Sequence, residues 1–165
     1  MLDGNYFVFF LVFWNHMPGY TLPIQIRWSD IDANRHMRHS VYYDYGATAR
    51  MVVLSENGLT TAKLEALQTG PILFREEGIF KREILLEDRI TIDVTLVKAT
   101  PDYSRISLRH HIVKADGTLA AIINVDCAWI DLVKRKLAVP GEFIQKIVGA
   151  FPHTDDFQLV EKKAP

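Results

Sequence analysis

The chain has 165 residues, with 19 Lys and Arg set against 20 Asp and Glu for a formal charge of −1. It therefore lacks the broad cationic field that nucleic-acid partners require. Its single cysteine, Cys127, excludes an intramolecular disulfide framework and any multi-cysteine metal site; it suits a reducing interior, so a cytoplasmic location is expected.

The length fits one domain with a sizeable core. Residues 6–14 read YFVFFLVFW, an apolar run far short of the ~20 residues that a membrane-spanning helix needs. No Lys or Arg precedes the run, which speaks against a signal peptide. Residues 1–16 then read either as an extension ahead of a translation start at Met17 or as an extra apolar strand or dimer-covering arm. Residues 17–151 are expected to form the domain and 152–165 a loosely held tail.

In residues 21–29, Ile24, Ile26 and Trp28 alternate with Gln25 and Arg27, the period of a half-buried strand. Residues 30–39 are polar and lack an apolar period. Beyond Ser40, an expected N-cap, Tyr42, Tyr45, Ala49, Val52 and Val53 fall at helical spacing, and Asn57-Gly58 supplies a stop.

A short connection with one helical turn is expected over residues 60–70, then a charge-interrupted strand at 72–83 and a turn at 85–88. Residues 89–99 alternate through Ile90, Ile92, Val94 and Leu96, and 103–114 through Ile106, Leu108, His110 and Ile112. A hairpin turn at Ala115-Asp116-Gly117 leads to 118–131, apolar on both faces and so expected to be central. A basic turn at 134–136, read as solvated surface, precedes a short amphipathic helix at 141–151. One long helix with four antiparallel strands predicts an α+β layer.

Chemistry concentrates in Asp30-Ile31-Asp32-Ala33-Asn34-Arg35-His36-Met37-Arg38-His39. Two carboxylates and two histidines stand ahead of a predicted helix start, whose unpaired N–H groups and partial positive charge suit a developing oxyanion. Other readings of these residues are plainer. Asp30 and Asp32 can cap turns and answer Arg27 or Arg35. His36 and His39 lack a third ligand, so no metal is expected. The tyrosines at 42, 43 and 45 can be core. His110 and His111 point to opposite faces of one strand, which favours packing over a shared ligand, and Cys127 reads as a small core residue. The G-x-S-x-G, P-loop and G-x-G-x-x-G motifs are all missing.

The D-x-D at Asp30 and Asp32, the four-residue step to His36, the polar stretch and the tyrosine that follows resemble the signature of the 4-hydroxybenzoyl-CoA thioesterase type. This is a branch of the hotdog-fold acyl-CoA thioesterase superfamily, and the resemblance extends as strand pattern to about Phe143. It implies a hotdog fold, a curved antiparallel sheet wrapped around a long central helix. It implies hydrolysis of an acyl-CoA or acyl-carrier thioester with no metal or redox cofactor, in a homodimer or homotetramer, because hotdog sites form between protomers.

By the same resemblance Asp32 is the catalytic base or nucleophile and Asp30 is supporting. His39 stands where the family's backbone N–H binds the thioester oxygen. His36 matches the histidine of the family's Gly-His pair, and Tyr42, with His36, is expected to contact substrate. The chain departs from the pattern at Arg35, where glycine is common, and at Arg38. Two competing functions keep the fold: a non-catalytic acyl-thioester binding protein, and a hotdog hydratase or dehydratase.

Overall fold

A computed structural model describes residues 20–161; the apolar segment 1–16 lies outside them. The central element is α1, His39–Glu56, whose buried residues Val41, Tyr42, Gly46, Ala49, Val53 and Leu54 recur at helical spacing. Its end follows the predicted stop. Gly58 takes a left-handed φ of +86°, Gly58 N–H donates to Ser55 O, and Leu59 N–H donates to Leu54 O, satisfying the last carbonyls of the helix.

Its start differs from expectation. The N-cap is Arg38, with φ −60° and ψ 140° and no side-chain cap, and Ser40 sits inside the first turn. The cause is upstream, where Arg38 N–H donates to Asp30 O at 2.9 Å and fixes the chain two residues before Ser40.

The strands are β1 (Tyr20–Ile24), β2 (Thr69–Phe80), β3 (Ile90–Ala99), β4 (Arg105–Lys114), β5 (Leu119–Asp131), β6 (Lys136–Ala138) and β7 (His153–Leu159). They form one sheet in the order β1-β3-β4-β5-β2, with β6 on β5 and β7 on β3. Ile92 pairs with Leu22 and Ile112, and Val125 with Leu108, so one face presents a continuous apolar surface to α1. Each of these fully buried aliphatics contributes roughly 1.5–3 kcal/mol by leaving water. Extra residues in β2, β3 and β5 bend the sheet around the helix. This is the α+β hotdog arrangement; β5 lies inside the sheet between β4 and β2, while β4 holds the middle, and against expectation only one face of β5 is apolar, the other carrying Asn124 and Asp126.

Two connections depart from the sequence reading. The turn at residues 85–88 forms, with Leu85 N–H donating to Asp88 Oδ2 at 2.8 Å, yet it joins strands that are not neighbours. β2 pairs with β5 at the sheet edge and β3 lies across the sheet. The expected loose tail is also a strand: β7 runs parallel to β3 from Leu96 to Ala99, beyond the stretch that β1 covers, and the His153 ring stacks on Phe157 at 4.0 Å. Two shorter helices complete the chain: α2, Thr61–Ala66, capped by the Thr60 side chain, and α3, Glu142–Gly149.

Candidate active site

The site is built by the loop from Arg27 to Arg38. A 3-10 turn at Trp28–Asp30 turns the Asp30 carboxylate inward, where it is fully buried. It accepts hydrogen bonds from the Arg27 backbone N–H at 2.8 Å, from Arg27 Nη2 at 2.9 Å and from the Tyr45 hydroxyl. Burial alone pushes this carboxyl up, but the donors from Arg27 and Tyr45 outweigh it and hold Asp30 below the usual carboxylate range. Asp30 is thereby engaged as the anchor of the loop.

Asp32 has a different setting. Its Oδ1 accepts the Asn34 N–H at 2.8 Å, an Asx turn, while Arg35 N–H donates to Asp32 O and Asp32 N–H to His36 O. The Ile31–Met37 bridge closes this small loop and brings His36 Nδ1 within 3.8 Å of Asp32 Oδ1. Oδ2 of Asp32 takes no hydrogen bond from the described residues. At the tip, Arg35 adopts φ +68°, the left-handed conformation that a glycine would take without strain.

His39 opens α1, and with no side-chain cap from Arg38 the first N–H groups of the helix face outward from its positive end. Tyr42 lies one turn on, buried, its ring edge-on to Phe80 at 4.9 Å. Burial first, and the charge of Asp32 second, push the Tyr42 hydroxyl up to about 12, so it remains a proton donor at neutral pH.

The structure brings all four sequence-singled residues, Asp32, His36, His39 and Tyr42, to one cleft of about 410 Å³. Sequence reasoning missed its other wall, Phe80, Lys81, Arg82 and Glu83, which arrives from the end of β2. Its only local signal was a charged run after a weak strand. No group of three or more His, Cys, Asp or Glu among the described residues is placed to hold a metal ion.

The remaining titratable residues pack as the plainer readings held. His110 is fully buried, its Nδ1 2.7 Å from Asp93 O and its Nε2 3.1 Å from Arg50 Nη1. His111, on the opposite face, meets Asp93 Oδ2 at 2.8 Å. Burial drives the Cys127 thiol up to about 11, which leaves it a core residue rather than a nucleophile. Among the described residues no helix is long and apolar enough to cross a membrane.

The sequence profile of the thioesterase-like superfamily matches residues 26–148. Among solved structures, a Staphylococcus aureus protein in complex with CoA superposes with a TM-score of 0.75 at 21% identity, covering 90% of this chain and 92% of that one. A 1,4-dihydroxy-2-naphthoyl-CoA thioesterase from Synechocystis gives 0.72 at 18% identity, over 81% and 97%. A gentisyl-coenzyme A thioesterase gives 0.67 at 20% identity, over 76% and 98%. At these identities the likeness speaks for the fold. No curated protein matches the chain in sequence.

Proposed function

The chain belongs to the thioesterase-like superfamily, and we propose that it hydrolyses an acyl-CoA thioester in the cleft between Asp32 and the N-terminus of α1. The observation that carries the proposal is the opposed character of the two aspartates. Asp30 is buried and saturated with donors, whereas Asp32 keeps Oδ2 open beside His36 and His39.

In this reading Asp32 Oδ2 removes a proton from water, and the oxygen so activated adds to the thioester carbonyl. The developing oxyanion is held by the His39 N–H at the positive helix end. As the tetrahedral species collapses, the C–S bond breaks and the thiolate takes the proton from Asp32, leaving one carboxylic acid and one free thiol. If Asp32 adds as a nucleophile instead, water hydrolyses the resulting anhydride to the same products. General-base assistance supplies ~10²–10⁴-fold and an oxyanion donor ~10²–10³-fold. His36 and Tyr42 orient the acyl end, and Lys81 and Arg82, lining the same cleft, complement the phosphates of coenzyme A.

The assembly we propose is a homodimer at minimum, through the open edge of β2. Leu73, Phe74, Ile79 and Phe80 are exposed along that strand, and an apolar edge of this length invites pairing with a second copy. A reducing cytoplasm fits the single buried thiol. The test is thiol release from short, long and aromatic acyl-CoA esters. Release from at least one class is expected, and binding without release from any would favour the non-catalytic acyl-thioester reading.

A further inference from the structure

The hairpin that joins β5 to β6 projects from one end of the sheet. The last pair of β5 with β2 is Asp131 with Thr69, so residues 132–135 reach past the end of that strand. Val133 at the tip is 69% exposed, and Leu132, Leu137 and Val139 are exposed beside it. Ile130 pairs with both Gly70 and Leu137, and a Cβ at Gly70 would meet Leu132 Cδ2 at 3.4 Å. Ile130, Leu132 and Leu137 therefore share one face, by alternation the face of β5 opposite to Val125 and α1.

The tip is held in place. Asp131 Oδ1 accepts the N–H groups of Val133 at 2.9 Å and Lys134 at 2.8 Å, and Arg135 N–H donates to Asp131 O at 2.9 Å, closing a turn in which Arg135 takes φ +55°. Residues 132–139 read LVKRKLAV, with three cations and no carboxylate. Asp131 Oδ2 lies 3.6 Å from Lys134 Nζ, while Arg135 and Lys136 form no ion pair among the described residues. Exposed aliphatic side chains and unanswered positive charge thus occupy the same projection.

That combination selects what can cover it. A second copy meeting this face would set the same three cations against each other, which opposes a symmetric contact. A projecting tip also offers a folded partner no concave surface to fill. A fluid anionic surface accepts both features: the aliphatic side chains enter its apolar boundary, and the Lys and Arg stems reach back to its phosphates.

We propose that this hairpin docks the protein on an anionic lipid bilayer, with Leu132 and Val133 entering the interface and Lys134, Arg135 and Lys136 meeting lipid phosphates. Such docking does not depend on thioester hydrolysis, and the tip lies beyond Thr69, away from the β2 edge between Leu73 and Phe80.

The test uses the full chain with an environment-sensitive NBD label on Val133→Cys; Cys127 is buried, so labelling is selective. A second protein carries the label on Glu87→Cys, an exposed position ahead of β3 at the other end of the sheet. Each is titrated with vesicles of phosphatidylglycerol and phosphatidylcholine, with phosphatidylcholine vesicles alone, and with polyglutamate, which offers the charge without the apolar layer. The expected result is a saturable fluorescence rise at position 133 with the anionic vesicles only, reversed by high salt, and no change at position 87. Neutralising two cations in Lys134→Gln/Lys136→Gln should raise the half-saturating lipid concentration roughly thirtyfold. A label at position 133 that stays silent while the protein sediments with vesicles would place the contact elsewhere, for example in residues 1–16, and overturns the proposal. Absence of vesicle binding, an equal response to polyglutamate, or unchanged lipid affinity in the double variant overturns it as well.

Discussion

Tyr45, six residues past the start of α1, donates its hydroxyl hydrogen to the buried carboxylate of Asp30. The long helix is thus tied to the loop that carries Asp32, and Arg27 closes the same carboxylate from the other side. In Asp30→Asn the amide presents hydrogens to these donors, and stability to urea should fall by about 2 kcal/mol. The pH dependence has a definite sign. Burial raises the Asp30 carboxyl and the donors more than offset it, so its folded value is depressed. The contribution is full above the ordinary carboxylate range near ~4 and is lost as pH falls through the lower folded value. Urea midpoints measured down through that range should drop in the wild type and flatten in Asp30→Asn.

His110 titrates with the opposite chemistry. Burial, aided by the Arg50 guanidinium and opposed by the Asp93 carbonyl, lowers it to about 4. It is therefore neutral, with Nδ1–H donating to Asp93 O and Nε2 accepting from Arg50. The unfolded chain, with an ordinary value near ~6.5, binds the proton first. Stability should be full above that value and decline as pH falls from ~6.5 towards ~4, at no more than ~1.4 kcal/mol per pH unit. His110→Gln should remove this slope, which chemical denaturation at stepped pH will register.

Arg35 holds φ +68° at an exposed tip. Arg35→Gly should relieve that strain and raise stability by roughly 0.5–1 kcal/mol, while Arg35→Ala should not. A thermal unfolding comparison of the three proteins checks this.

Gly78 has no room for a side chain. A Cβ there would lie 2.7 Å from the Tyr43 hydroxyl and 2.8 Å from the Phe80 ring. Phe80 is also the ring that packs on Tyr42 in the cleft. Gly78→Ala should displace Phe80, lowering thioester turnover about tenfold or more with a smaller effect on unfolding.

How much was legible follows from how far each signal reached. Alternation in Ile90, Ile92, Val94 and Leu96 was local and gave β3 within a residue; Asn57-Gly58 gave the end of α1 because its turn chemistry is local too. The start of α1 was misplaced because a distant carbonyl, Asp30 O, sets it. Phe80 to Glu83 were missed as a cleft wall because β2 reaches the site only through its pairing with β5. β7 was missed because its sequence, HTDDFQL, is too polar to signal a strand that completes the free part of the β3 edge. That Asp32, His36, His39 and Tyr42 share one cleft follows from their sitting within one loop and the first helical turn, a proximity the sequence itself carries.

Catalysis by Asp32 is tested most directly by thioester hydrolysis in Asp32→Asn against the wild type, with circular dichroism and unfolding midpoints in parallel. The amide oxygen introduced by this substitution can still accept the Asn34 N–H that Asp32 Oδ1 now takes, so the loop should survive. The expected result is a loss of ~10²–10⁴-fold in kcat with folding unchanged. Turnover within a few-fold of the wild type in a folded Asp32→Asn protein would contradict a catalytic Asp32.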